Sequence, residues 1–143
     1  MNTIEQFRDE YSWLSNFSPC DIIYEGISYP STEHFYVGMK TTDILLREEI
    51  SKLETPGKAK RFGRKIDVRD DWDDIKISTM RYALDQKFSK DPYKTLLIET
   101  GDMEIQEGNF WQDKFWGVDF ETKEGKNILG KMIMKIRDSL TLE

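Results

Sequence analysis

The longest amphipathic pattern in the chain runs from Trp72 to Phe88, where apolar residues recur at steps of three and four. That spacing places them on one face of an α-helix, and this face has to be buried against other parts of the protein. Asp70 or Asp71 stands where a helix N-cap is expected. The pattern therefore predicts a long helix. Its predicted apolar face consists of Trp72, Ile75, Ile77, Thr79, Met80, Ala83, Leu84, Lys87 and Phe88.

Other elements are predicted from capping and turn residues that flank apolar patterns. Two short apolar runs around Glu25 and Gly26 predict a tight β-hairpin over 22–29. Two further short strands are expected at 97–100 and 103–105, on either side of a turn. The predicted helices lie over 43–53, from Thr55-Pro56 to Lys65, from Asp91-Pro92 to Leu97, and from the segment 125–127 to Leu140.

The stretch 29–40 places the only histidine of the chain beside a carboxylate, at the start of another predicted helix. Ser31 or Thr32 is expected to cap this helix, which puts Glu33 in its first turn. The helix dipole is expected to lower the pKa of Glu33 and to keep it ionised near neutral pH. Lys40 falls two turns on, close to the same face. Taken alone, the pattern favours an ordinary capped helix with a solvated Glu-His pair.

Composition limits the chemistry that the chain can carry. The 143 residues predict one domain over 1–143. The net charge of −6 argues against broad attraction to nucleic acid or to anionic membranes. One cysteine excludes an internal disulfide and a cysteine-built zinc site, and one histidine gives little support to the usual zinc spacings or to a serine triad. Catalysis, if present, is therefore expected to use carboxylates and no metal or cofactor.

The sequence shows no signal-peptide pattern and no apolar run of membrane-spanning length. We therefore expect a cytoplasmic protein with no membrane partner. The oligomeric state is left open by the sequence.

The helix predicted after Pro56 carries a dense group of cations over 58–65. Such a group is often a solvated helix face. Arg61, Arg64 and Lys65 nevertheless lie within one turn of each other, and this arrangement suits a phosphate site. Both interpretations are open.

Aromatic rings and polar groups are interleaved over 107–119. A loop that buries its rings while holding Glu107, Asn109 and Asp113 is expected here, and loops of that kind form walls of small-molecule pockets. The alternative is an aromatic minicore with acids on the surface.

Two asparagines and one glycine also have two interpretations each. Asn16 either satisfies its own backbone or presents an amide to a ligand. The glycine-flanked start of the last helix, 125–130, either exposes amides to an anion or packs closely against a neighbour. Packing is favoured for Gly130, whereas Asn127 is kept as a candidate binding residue.

Taken in order, these segments closely resemble the YbiA-like family, also called the NADAR domain. The resemblance runs from about Leu14 to Leu140, and no single piece of it is diagnostic. The chain departs from the family at Val37 and Gly38, where glutamine and alanine are common. The matching residues are Leu14 to Phe17, Tyr29 to His34, Ala59 to Arg64, Trp72, Met80, Lys87, Phe88, Thr100, Gly101, Glu107 to Asn109, Asp113 to Gly117 and Gly125 to Gly130.

The resemblance implies a compact, single-domain α+β fold that is mainly α, with short strands and hairpins. It also implies an N-glycoside hydrolase that acts on ribosyl phosphates. Family members are associated with cleavage of early riboflavin-pathway intermediates and with removal of ADP-ribose from guanine bases. The implied partner is therefore a small ribosyl-phosphate or ADP-ribosyl substrate, or an ADP-ribosylated nucleic acid.

The residue chemistry agrees with that activity. Breaking a C1′–N bond develops oxocarbenium charge on the ribose, which a fixed carboxylate stabilises. We assign that role to Glu33 and the role of second carboxylate to Asp113. The expected substrate-binding residues are Asn16, Phe17, His34, Lys40, Arg61, Arg64, Trp72, Lys87, Trp111, Trp116, Gly117 and Asn127.

Two alternatives belong to other classes of protein. A module that binds ADP-ribose or nucleotide without turnover needs the same rings and cations. In a structural or interaction protein with an aromatic core, Glu33 and Asp113 are expected to lie far apart and exposed. The residue that protonates the leaving base is not identified by the sequence.

Overall fold

A computed structural model describes residues 2–142 of the protein. The chain folds into two compact units. Residues 16–87 form the hairpin unit, and residues 2–15 together with 88–142 form the terminal unit. The expectation of one domain over 1–143 stays a prediction.

The hairpin unit begins with the predicted antiparallel hairpin, which is confirmed. Strand β2 spans Pro19–Tyr24 and strand β3 spans Ile27–Ser31. Glu25 and Gly26 connect them with φ angles of 48° and 81°. Two successive positive φ angles match the right-handed twist of the strands, which is why a two-residue turn suffices here.

Four helices follow the hairpin, and each begins near the predicted position. The side chain of Asp43 accepts hydrogen bonds from two backbone amides of the second helix. The Thr55 hydroxyl accepts from the amide of Lys58 at 3.1 Å, and Pro56 opens the third helix. The helices are α1 (Thr32–Gly38), α2 (Ile44–Ser51), α3 (Pro56–Gly63) and α4 (Trp72–Lys87).

One residue of the predicted apolar face of α4 is wrongly placed. Ile77 is 44% exposed. The buried face instead runs through Met80, Ala83 and Lys87, and Lys76 rather than Ile77 continues that series one turn earlier. Ala83 of α4 belongs to a buried cluster with Ile22, Tyr29, Phe35 and Met39.

The terminal unit contains short parallel strand pairs and two helices. Strand β1 (Thr3–Ile4) pairs with β4 (Glu104–Ile105), and β5 (Gly108–Asn109) pairs with β6 (Val118–Asp119). A 3-10 helix at Asp9–Leu14 follows β1. The two α-helices are α5 (Tyr93–Glu99) and α6 (Ile128–Thr141).

The strand predicted over 97–100 is wrong, because α5 continues to Glu99. Leu97 lies one helical turn after Tyr93, and its burial extends the helical pattern that begins at Asp91-Pro92. The second predicted strand exists as β4, but its partner is β1.

The start of α6 is held by Asn127, whose φ angle is 50°. Its Nδ2 donates to the carbonyl of Ile105 at 2.9 Å, and its Oδ1 accepts from the amide of Glu107 at 3.1 Å. A Cβ at Gly130 would overlap the carbonyl oxygen of Ile105. The packing role predicted for Gly130 is therefore confirmed.

The fold is α+β and mainly helical, with short strands, as predicted. Across residues 2–142, no helix is both long enough and apolar enough to cross a membrane.

Candidate active site

Glu33 lies in the first turn of α1, where two neighbouring segments fix its backbone. Ser31 is the N-cap, and its hydroxyl accepts from the amide of His34 at 3.1 Å. The amide of Glu33 itself donates to the carbonyl of Asn16 at 3.1 Å. The predicted cap and the predicted place of Glu33 are both confirmed.

The environment of the Glu33 carboxyl differs from the expectation. Burial raises its pKa above the usual range, and the ammonium groups of Lys60 and Lys40 lower it only in part. The expected lowering by the helix dipole is therefore wrong. A helix terminus contributes about 0.3–1 kcal/mol, whereas desolvating a charge costs several kcal/mol, so loss of hydration dominates.

Lys40 approaches Glu33 from the far end of α1. Its Nζ lies 5.4 Å from the centre of the Tyr36 ring and 5.9 Å from that of Trp72. Burial lowers the pKa of Lys40, the charge of Glu33 raises it, and Lys60 and Arg64 lower it further. The predicted proximity of Lys40 to Glu33 is confirmed.

Glu33, Lys40, Lys60 and Arg64 together form what we call the Glu33 cluster. It contains three cations and one carboxylate, so it carries an excess of positive charge that suits an anionic ligand. Within the described part of the chain, no group of three His, Cys, Asp or Glu side chains is arranged to hold a metal ion.

Lys60 is the residue of this cluster that the sequence interpretation missed. Closeness in sequence favours Arg61, Arg64 and Lys65 as the phosphate site, and Arg64 is the C-cap residue of α3. Arg61 is exposed. Lys60 and Arg64 are four residues apart and therefore share one side of the helix; this spacing is the signal that identifies Lys60.

His34 is buried within the hairpin unit. Its Nδ1 lies 2.6 Å from the hydroxyl of Ser31, and its Nε2 lies 3.0 Å from the carbonyl oxygen of Leu53. Burial lowers the pKa of the ring. Both nitrogens therefore contact protein atoms, and a substrate-binding role for His34 stays a prediction.

Asn16 and Phe17 lie in the loop that precedes β2. The Nδ2 of Asn16 lies 3.8 Å from the sulfur of Met80. Its Oδ1 is buried and accepts no hydrogen bond from the described residues. A buried acceptor of this kind suits a ligand hydroxyl. The Phe17 ring is 42% exposed.

Lys87 is the most deeply buried charged residue among the predicted site residues, with 2% of its surface exposed. Its Nζ donates to the hydroxyl of Ser18 at 2.8 Å. Burial lowers the pKa of Lys87 to about 7, against a raising effect of Cys20. Its predicted contact with substrate stays a prediction.

Trp72 packs edge-on against Tyr36, with ring centres 4.9 Å apart. The two rings flank the ammonium group of Lys40. This arrangement gives Trp72 a place next to the Glu33 cluster, and its stacking on a substrate base stays a prediction.

Asp113, in the terminal unit, uses its carboxylate to hold a turn. Its Oδ1 accepts from the amides of Phe115 and Trp116 at 3.1 and 2.9 Å. The side chain of Asn109 accepts from the Asp113 amide at 3.1 Å and donates to the Asp113 carbonyl at 3.0 Å. The loop is therefore held by polar groups, and a catalytic role for Asp113 stays a prediction.

The rings of this loop are not all buried, contrary to expectation. Phe110 and Trp111 are 55% and 58% exposed. The Phe110 ring still packs against Phe120, with ring centres 5.0 Å apart, and polar side chains hold the backbone of the loop. Trp116 packs edge-on against Phe115 at 4.9 Å.

Gly117 allows a close approach of two backbone segments. A Cβ at this position would overlap the carbonyl oxygen of Glu107. Gly117 therefore has a structural function, as Asn127 has at the start of α6. Substrate binding by Trp111, Trp116, Gly117 and Asn127 stays a prediction.

The fold and the shielded carboxylate among cations define an α+β protein with a candidate anion-binding catalytic site. The model of the NADAR domain matches residues 4–141. The chain belongs to the NADAR domain family, which confirms the resemblance found in the sequence.

One solved structure supports the same assignment. The NMR structure of the Escherichia coli protein YbiA matches with a TM-score of 0.84 and 33% sequence identity. The match covers 99% of this chain and 88% of that chain.

Two similar proteins are named N-glycosidases. YbiA of Escherichia coli is 34% identical over 138 residues, covering 94% of this chain and 85% of the relative. A Nostoc punctiforme N-glycosidase is 34% identical over 136 residues, covering 91% of this chain and 86% of the relative. These names agree with the predicted enzyme class, a hydrolase of N-glycosyl bonds.

A third relative is a riboflavin biosynthesis protein of Vibrio vulnificus. It is 36% identical over 135 residues, which is 92% of this chain. The chain spans only 36% of the length of that relative.

Proposed function

We propose that this protein hydrolyses the C1′–N bond of a ribosyl substrate that carries a phosphate or diphosphate group. The substrate is either an early riboflavin-pathway intermediate or an ADP-ribosylated guanine. The observation that carries the proposal is the Glu33 cluster, in which a shielded carboxylate stands among three cations. The names of the N-glycosidase relatives support the enzyme class.

The chemistry requires a negative charge beside C1′. As the C1′–N bond breaks, its electron pair leaves with the base, and positive charge develops on the ribose. The Glu33 carboxylate stabilises that charge, and its partial burial strengthens the interaction. Water then adds to C1′, one of its protons leaves the sugar, and a proton is taken up by the base.

The cations of the cluster suit the phosphate. Lys40, Lys60 and Arg64 together outweigh the charge of Glu33, so an anionic group is attracted to its side. Lys60 joins the cations predicted to bind the phosphate, and the role predicted for Arg61 stays a prediction. The rings of Tyr36 and Trp72 hold the ammonium group of Lys40 in position.

The remaining predicted roles complete the proposal. The buried Oδ1 of Asn16 accepts a ribose hydroxyl, and its backbone already contacts the amide of Glu33. Asp113 assists the attacking water or binds ribose hydroxyls. A flat leaving base stacks on an aromatic ring, for which the candidates are Trp72, Trp111 and Trp116.

The test uses wild type, E33Q and the matched control E48Q, in which an exposed glutamate of α2 is changed. Each is incubated with a ribosylamino-pyrimidine phosphate and with DNA bearing ADP-ribosylated guanine, and products are resolved by mass. Release of ribose 5-phosphate or of ADP-ribose by wild type and E48Q, abolished in E33Q, supports the proposal and identifies the substrate. Intact substrates with wild type would contradict it.

A second candidate function is binding of ADP-ribose without turnover. The positive excess of the Glu33 cluster favours it equally, because a diphosphate would satisfy the same cations. In that case titration with ADP-ribose shows saturable binding to wild type while both substrates remain intact.

A further inference from the structure

The charge environment of Glu33 depends on how α3 lies against α1. Lys60 is the cation with the largest effect on the Glu33 carboxyl, and it belongs to α3. The other cation that acts on Glu33 is Lys40, just past the end of α1, and Arg64 acts on Lys40. Contacts that hold α3 in place therefore also determine the charge environment of Glu33.

Two such contacts lie at opposite ends of α3. At its start, the ring of His34 reaches the carbonyl of Leu53, two residues before the N-cap Thr55. At its end, Gly63 packs on Val37 so closely that a Cβ would lie 3.0 Å from a methyl carbon of Val37. Lys60 lies between these two contacts.

The hydrogen-bond partners of His34 define its protonation. A carbonyl oxygen only accepts, so the Nε2 of His34 carries the proton that is donated to Leu53. The Nδ1 then accepts from the hydroxyl of Ser31 at 2.6 Å. Burial lowers the pKa of the ring, which favours this neutral form over the protonated one. A neutral ring held at both nitrogens has a fixed orientation.

We propose that His34 is a positioning residue, which holds the start of α3 against α1 and so sets how closely Lys60 approaches Glu33. This inference rests on the proposed function, in which ionised Glu33 stabilises the developing charge. His34 acts through the Leu53 backbone and through α3, without contact to the substrate.

The test compares two amides at position 34. The amide nitrogen of glutamine reaches the place of Nε2 and keeps the donor to Leu53, whereas that of asparagine reaches only the place of Nδ1. Carbon-13 NMR follows the titration of the Glu33 carboxyl, assigned by its loss in E33Q. We expect H34N to move this titration and the acidic limb of kcat/KM upward by roughly one pH unit. H34Q should titrate like wild type.

A K60M background shows whether His34 acts through Lys60. If it does, H34N causes no further movement of the Glu33 titration in K60M, because the two changes remove the same interaction. Equal titrations of Glu33 in H34N, H34Q and wild type would overturn the proposal. So would a shift in H34N that persists undiminished in K60M.

G63A provides the test if H34N does not fold. The added Cβ meets a methyl carbon of Val37 at 3.0 Å, so Val37 or the end of α3 has to give by a few tenths of an ångström, while His34 stays intact. A smaller shift in the same direction is expected, and an unchanged titration would overturn the proposal. The NMR titration also separates this inference from the proposed function. If no substrate is cleaved, the proposed function fails while the titration still decides the role of His34.

Discussion

Two carboxylates that the sequence assigns to the same reaction stand in different surroundings. In the hairpin unit, Glu33 is withdrawn from water among the cations of the Glu33 cluster. In the terminal unit, Asp113 accepts two backbone amides and stabilises a turn. A carboxyl withdrawn from water, such as that of Glu33, is typical of a functional site. A carboxylate that accepts neighbouring backbone amides, such as that of Asp113, is typical of a turn.

The same contrast extends to the other predicted site residues of each unit. Lys40 and Lys87 in the hairpin unit have pKa values lowered by burial. Gly117 and Asn127 in the terminal unit allow or make close backbone contacts. Within the hairpin unit, burial therefore alters the ionisation of the predicted site residues, whereas within the terminal unit the corresponding residues stabilise the backbone of their own unit.

The largest effect is expected for G117A, which tests the structural role of Gly117. The added Cβ overlaps the carbonyl oxygen of Glu107, so the backbone has to shift, and the free energy of unfolding should fall by roughly 4 kcal/mol. Urea denaturation followed by circular dichroism measures the change. A free energy of unfolding within about 1 kcal/mol of wild type would contradict the structural role of Gly117.

The next effect concerns the buried charge of Lys87. Its pKa is about 7 in the folded protein and about 10.4 when unfolded, so between these values the unfolded chain binds a proton that the folded protein does not. The free energy of unfolding should therefore rise with pH across that window, by at most about 1.4 kcal/mol per pH unit, and level off below it.

K87M should lose this pH dependence, whereas the control K90M, at an exposed lysine, should keep it. Urea denaturation of both variants at pH values across the window provides the measurement. The same slope in K87M as in wild type would show that Lys87 titrates normally.

The change D113A is expected to have a smaller effect on stability. Alanine leaves the amides of Phe115 and Trp116 without their acceptor, which costs about 1–2 kcal/mol. Asparagine keeps an oxygen in place, so D113N should remain within about 0.5 kcal/mol of wild type. If D113N keeps its stability but loses turnover, Asp113 belongs with Glu33 as a catalytic group.

The smallest effect is expected at Lys60. K60Q should raise KM for the phosphate-bearing substrate about tenfold, since one charge-assisted contact to the anion is lost. The control is K58Q, at an exposed lysine on the same helix. Equal KM values for K60Q and K58Q would show that Lys60 does not bind the phosphate group of the substrate.

Local signals in the sequence predict much of the fold. The Thr55-Pro56 start, the Ser31 cap and the Glu25-Gly26 turn each follow from backbone chemistry within a few residues, and all three are confirmed. The error at 97–100 arose because a short apolar run fits a strand and a helix equally well. The partner of β4 is β1, more than ninety residues earlier, which local patterns do not reveal.

The candidate site is less accessible to sequence reasoning. The positions of Glu33 and Lys40 follow from helix geometry, but the raised pKa of Glu33 depends on burial by segments distant in the chain. The sequence does not distinguish Lys60 from the adjacent cations, because the buried face of α3 is set by its packing. The exposure of Trp111 likewise does not follow from the alternation of rings and polar residues in this loop.

The most direct test of the central claim is the single-turnover rate constant of E33Q, measured together with its Kd for the product that wild type releases. The account predicts a rate lowered about 1000-fold or more, with a Kd within a few-fold of wild type, because the carboxylate acts on the transition state. A rate equal to that of wild type would contradict the assignment of Glu33.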